Sequence, residues 1–136
     1  MIQEYGFQKK DMESGIPLKI PEGYYVLWEF TTQAGYEYVM ILKDRTSGKV
    51  YCEERRKSVS IDPIRSGQFR TESADTVLVI RVTESGGVDF RCADLTIEKN
   101  EIITKSYTFV AEDWNDDDYN DMLLHITAWR TLGSGK

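Results

Sequence analysis

The chain has 136 residues, with 23 acidic and 17 basic side chains and a formal net charge of -6. That length suits one domain able to bury a real core, and 40% hydrophobic with 29% charged residues argues against wholesale disorder. The acidic balance excludes a general nucleic-acid binder, which needs a basic face to neutralise phosphates. No apolar run reaches the roughly 20 residues of a spanning helix, and Met1 to Lys10 lacks the apolar core of a secretory signal. The reading is a soluble single domain. Its compartment is unassigned: cytoplasmic, or released or cell-surface by another route.

In chain order, residues 1–15 are polar and read as an N-terminal extension or edge strand. A string of short strands follows: Tyr24 to Phe30, Tyr36 to Lys43, Lys49 to Glu53, Thr76 to Thr83, Val88 to Ile97, Ile102 to Val110 and Met122 to Trp129. They are rich in β-branched and aromatic residues. Turn chemistry separates them at Asp44-Arg45-Thr46-Ser47-Gly48 and Glu84-Ser85-Gly86-Gly87. Arg55 to Asp75 reads as a loop that could hold one short strand. No long stretch carries the helical apolar period. The expected fold is all-β, an antiparallel sandwich of about eight to nine strands. Trp28 and Trp129 are assigned to packing, and Cys52 and Cys92 to strands as small hydrophobes.

The acid is concentrated. Glu112, Asp113, Asp116, Asp117, Asp118 and Asp121 lie within ten positions, and the other acids equal the bases in number, so the net charge resides in this segment. Two carboxylates about 6 Å apart in water repel by roughly 0.7 kcal/mol, a cost that a divalent cation relieves. Calcium takes six to eight hard oxygen ligands. Asp116, Asp118 and Asn120 alternate, so an extended or curved backbone points them one way; Asp121 adds a carboxylate where the next strand begins, and Glu112 shares their parity. The acid count accommodates two adjacent ions. An EF-hand matches only at Asp116-x-Asp118-x-Asn120, because Asp121 takes the glycine position and Thr127 the bidentate glutamate position. The competing reading is a solvated acidic turn.

The run Glu112-Asp113-Trp114-Asn115-Asp116-Asp117-Asp118-Tyr119-Asn120-Asp121 resembles the calcium loop of the small bacterial fucose/mannose-binding lectins that hold two calcium ions per site. Leu18-Lys19-Ile20-Pro21 resembles that family's first strand, and Phe30-Thr31-Thr32-Gln33-Ala34-Gly35 falls where its specificity loop lies. The resemblance spans about residues 17 to 133, within a lectin-like unit of residues 16–133 and a tail of 134–136. It implies calcium-dependent binding of a fucose- or mannose-type sugar whose hydroxyls coordinate paired ions. Glu112, Asp116, Asp118, Asn120 and Asp121 would be metal ligands, with the Thr32 backbone carbonyl. Asp113 would accept a hydrogen bond from the sugar, and Gln33, Ala34 and Trp114 would lie against it.

The sequence departs from the family in three places. Family chains end in a glycine whose terminal carboxylate completes a partner subunit's site, whereas Leu132 to Lys136 carries this one further. Trp114 replaces a small residue, and Gln33-Ala34 matches neither a fucose nor a mannose pattern. A homodimer or higher oligomer is expected, since single sugar sites gain from multivalency. The alternative is a calcium-stabilised β-sandwich surface or adhesion module that binds no sugar. An enzyme is disfavoured: a Glu112/Asp116 pair could hydrolyse glycosides, but the loop is too polar to raise one carboxyl pKa. No nucleophile elbow or P-loop appears.

Overall fold

The computed structural model describes residues 2–60, 63–83, 87–112 and 119–131. Ten strands and one short helix occur among them: β1 (Ile2–Gln8), α1 (Lys9–Ser14), β2 (Ile16–Pro17), β3 (Tyr25–Thr32), β4 (Tyr38–Asp44), β5 (Val50–Arg56), β6 (Arg65–Arg70), β7 (Thr76–Val82), β8 (Asp89–Lys99), β9 (Glu101–Glu112) and β10 (Met122–Trp129). A six-stranded sheet runs β1-β8-β9-β10-β3-β6, and a four-stranded sheet runs β2-β7-β4-β5. The pairings are antiparallel throughout. This is the all-β sandwich that the strand spacing predicts.

Alternation builds the larger sheet. Val26, Trp28 and Phe30 on β3, Phe90 and Cys92 on β8, and Met122, Leu124, Ile126 and Ala128 on β10 all point inward. They meet Tyr38, Met40 and Leu42 of β4 and Leu78, Ile80 and Val82 of β7 in one core. Each fully buried large side chain contributes about 1.5–3 kcal/mol. In the smaller sheet, β4 and β7 are buried on both faces, with Val39, Ile41 and Val79 forming a minor cluster. Their near-continuous apolar sequences follow from that.

The turn at Asp44 is held by its own carboxylate, which accepts from the Thr46 N–H at 3.2 Å, Ser47 Oγ at 2.9 Å and Ser73 Oγ at 2.8 Å. Asn100 carries the left-handed φ of 66° between β8 and β9, a conformation Asn tolerates better than most residues.

Several local expectations are corrected. Arg55 to Asp75 holds the one short strand allowed for it, β6, but β5 runs beyond its expected end at Glu53 to Arg56. Leu18 to Ile20 lies outside any strand; the pairing residues are Ile16 and Pro17, against Leu78 and Val77. Helix α1 is too short to show a period and buries only Met12. Trp129 is 53% exposed rather than packed, because it holds an outward position at the end of β10, whereas Trp28 points inward and is 5% exposed. Trp28 fits because β6 offers Gly67 there: a Cβ on Gly67 would lie 2.7 Å from the indole. Both cysteines are free, Cys52 half-buried on β5 and Cys92 buried on β8.

Candidate functional site at the end of the larger sheet

Three strands of the larger sheet stop on one line. Thr32 ends the pairing of β3 with β10, opposite Met122, and Met122 is also opposite Ala111 on β9. One position beyond lie Gln33, Asp121 and Glu112. The Gln33 N–H donates to the Asp121 carbonyl at 2.8 Å, and the Asp121 N–H donates to the Ala111 carbonyl at 3.2 Å. Gln33 Nε2 also donates to the Asn120 carbonyl at 3.2 Å. The segment after β3 is thereby fastened to the segment before β10.

Glu112 sits at the last position of β9 and is only 5% exposed. Its partner across β8 is Asp89. Asp89 and Glu112 stand on neighbouring strands, about 4.8 Å apart, and Asp121 lies just before the next strand, β10. Like charges side by side across strands are destabilising. The donors are all oxygen: the Glu112 and Asp121 carboxylates, the Asn120 amide and the Thr32 carbonyl. That set fits a hard ion such as calcium and no soft one. Among the described residues, no group of three His, Cys, Asp or Glu side chains is by itself arranged around an ion. Asp113, Trp114, Asp116 and Asp118, which the sequence also nominates, lie outside the described residues, as does the tail 134–136.

The specificity segment splits. Thr32 is 1% exposed and its Oγ1 donates to the Ser58 carbonyl at 3.2 Å. Ala34 is 4% exposed, belongs to the main core, and donates its N–H to the same carbonyl at 2.9 Å. Gln33 alone of the three is exposed. Tyr119, at the start of the described segment before β10, has a φ of 50°, rare for a bulky residue, and lines one groove with Arg91.

Comparison with solved structures gives the fold a context. The C-terminal domain of the BC2L-C lectin from Burkholderia cenocepacia matches with a TM-score of 0.64 at 13% identity, over 96% of this chain and 99% of that one. A Chromobacterium violaceum lectin, solved in complex with alpha-methyl-fucoside, matches with a TM-score of 0.64 at 13% identity, over 85% of this chain and 96% of that one. A high-affinity mannose-binding lectin from Ralstonia solanacearum matches with a TM-score of 0.61 at 17% identity, again over 85% and 96%. The chain has the fold of these bacterial lectins. No family model and no curated protein sequence matches it.

Of the residues the sequence nominates, the fold brings Gln33, Glu112, Asn120 and Asp121 to this end of the sheet, and it adds Asp89, which the sequence does not nominate. Asp89 begins a strand after a glycine pair, and nothing local marks it; only the β8–β9 register sets it beside Glu112. His125 faces outward on β10, with Nδ1 3.5 Å from Glu29 Oε1 and Nε2 3.3 Å from Thr127 Oγ1. Among the described residues it lies on the open sheet face, away from the carboxylate line.

Proposed function

We propose that the protein binds carbohydrate through calcium held at the end of the larger sheet. The observation that supports this reading is the adjacency of Thr32, Glu112, Asn120 and Asp121 at the ends of three neighbouring strands, in a fold shared with sugar-binding lectins. Asp116 and Asp118 would complete the ligand set, which has enough carboxylates for two ions. Bound calcium supplies hard, directional coordination for sugar hydroxyls, each a weak ligand alone. The chain's own work is positioning. The Gln33 bonds to Asn120 and Asp121 hold the ligand segment against β3, and burial of Glu112 keeps water from competing for its carboxylate. Gln33 lies exposed where a ring would rest, with Asp113 and Trp114 as further sugar contacts. Ala34 acts from below, through packing. The preferred sugar is of the fucose or mannose type, and a homodimer or higher oligomer would multiply single-site affinity.

The test is a calorimetric titration of calcium into metal-stripped protein, followed by methyl α-fucoside and methyl α-mannoside. Two ions per chain, and sugar binding that chelation abolishes, are expected; Asp118→Ala should lose both. One ion without sugar binding would indicate a calcium-stabilised module instead. Sugar binding that survives chelation would overturn the calcium role.

A further inference from the structure

Beside the candidate site, the edge strand β1 of the six-stranded sheet and α1, which follows it, form a wall. Between that wall, the start of β8 and Tyr119 lies an open groove of about 480 Å³, within the roughly 300–1,000 Å³ range of small-ligand sites. Gly6, Gln8, Asp11, Asp89, Arg91 and Tyr119 line it. It adjoins the carboxylate line, because Asp89 pairs with Glu112 on one side and with Gln8 on the other, and Tyr119 directly precedes Asn120.

We propose that this groove is a second subsite, which takes the next sugar residue of an oligosaccharide whose terminal residue occupies the calcium site. The inference rests on the functional reading above and extends it from a monosaccharide to a neutral oligosaccharide.

The chemistry of the lining argues for that class. A sugar hydroxyl both donates and accepts, and the groove offers both: Arg91 donates, the Asp11 and Asp89 carboxylates accept, and the Gln8 amide does either. Hydrogen bonds from a neutral hydroxyl to an ionised group are among the stronger kinds. Tyr119 beside it, with the charges of Glu4 and Asp89, favours the charged form of Arg91. Asp11 is oriented by the Gln8 N–H, which donates to its Oδ2 at 2.8 Å. Two carboxylates against one guanidinium leave the lining net negative, which disfavours an acidic sugar or a phosphate. Space comes from Gly6: a Cβ there would lie 3.4 Å from the Phe90 carbonyl oxygen and 3.8 Å from Arg91 Cδ, in ordinary contact, so a larger residue extends into the groove beside Arg91.

The test compares methyl α-mannoside and methyl α-fucoside with neutral di- and trisaccharides ending in the same sugar, in saturating calcium. The full chain should bind at least one oligosaccharide roughly tenfold more tightly than its monosaccharide, the gain of one or two hydrogen bonds to charged groups. Arg91→Ala, which removes the donor, and Gly6→Leu, which fills the space, should both erase that gain. In Gly6→Leu, which changes β1 and not the ligand segment, monosaccharide affinity should stay within about twofold, as for surface changes away from a site. A gain that survives in Gly6→Leu overturns the subsite, as does the absence of a gain for every oligosaccharide. A preference for sialylated over neutral chains overturns the ligand class. Failure of the monosaccharides themselves to bind would be the failure of the primary reading, seen before any variant is made.

Discussion

The backbone N–H of Gln33 donates to the carbonyl of Asp121 over 2.8 Å, joining the residue that follows β3 to the residue that precedes β10. Gln33→Ala keeps this bond and loses only the side-chain bond to Asn120. It should weaken calcium binding a few-fold, in keeping with about 1 kcal/mol for one hydrogen bond. Gln33→Pro removes the N–H itself and should weaken it further, with about 1–3 kcal/mol lost from the fold. Calorimetry and urea melts of the two variants give the comparison.

Calcium should stabilise the chain. At a free concentration 1,000-fold above its Kd, one ion adds about 4.1 kcal/mol, readable as a rise in Tm that a chelator reverses. Glu112→Gln keeps the shape of a side chain only 5% exposed and removes its charge. That rise should shrink sharply in the variant, and an unchanged rise would remove Glu112 from the ligand set.

Midway along β8 and β9, Lys105 and Asp94 form a buried pair at 3.7 Å, with side chains 10% and 7% exposed. Tyr5 donates to Asp94 at 2.9 Å and Lys105 Nζ to Thr96 Oγ1 at 2.8 Å. Lys105→Met would strand the Asp94 charge and should cost about 3–5 kcal/mol. Adding Asp94→Leu should recover much of it, which denaturant midpoints of the single and double variants would reveal.

Gly67→Ala should cost about 1–3 kcal/mol through overpacking, since the new methyl carbon would fall 2.7 Å from Trp28 Cζ2. A shifted indole fluorescence spectrum should accompany the loss. An unperturbed Trp28 would contradict the assigned β3–β6 register.

Alkali should unfold the protein early. Burial, the largest cause in each case, pushes Cys52, Cys92 and Tyr107 up to about 12. These groups ionise more easily in the unfolded chain, so their contribution is intact below about pH 9 and lost as pH rises from there towards 12. Urea midpoints should fall between pH 8 and pH 10.5. A thiol reagent at pH 8 should label both cysteines far more slowly than in denatured protein.

Much of the fold is legible from local pattern. Alternation in Tyr25–Thr32 and Met122–Trp129 predicts half-buried strands, and Asp44 to Gly48 predicts its own turn, because side-chain direction and turn conformation are decided within a few residues. Strand β6 is not legible in this way. Arg65–Arg70 is polar and carries Gly67, and its pairing is visible only in the fold, where it lies along β3 and Gly67 leaves room for Trp28.

The candidate site divides along the same boundary. The amino-acid sequence by itself determined that acid is concentrated at residues 112–121, that its donors are hard oxygens, and that strands flank them, since charge, ligand type and alternation are properties of neighbouring residues. Only the tertiary structure decided that Gln33 meets Asn120, 87 residues away, that Asp89 stands beside Glu112, that Ala34 faces the core, and that Gly6, Asp11 and Arg91 wall a groove next to the acid. Those relationships depend on which strand pairs with which and in what register. A one-residue slip would turn every side chain to the other face, and the register is settled by burial across the whole sandwich rather than within any one segment.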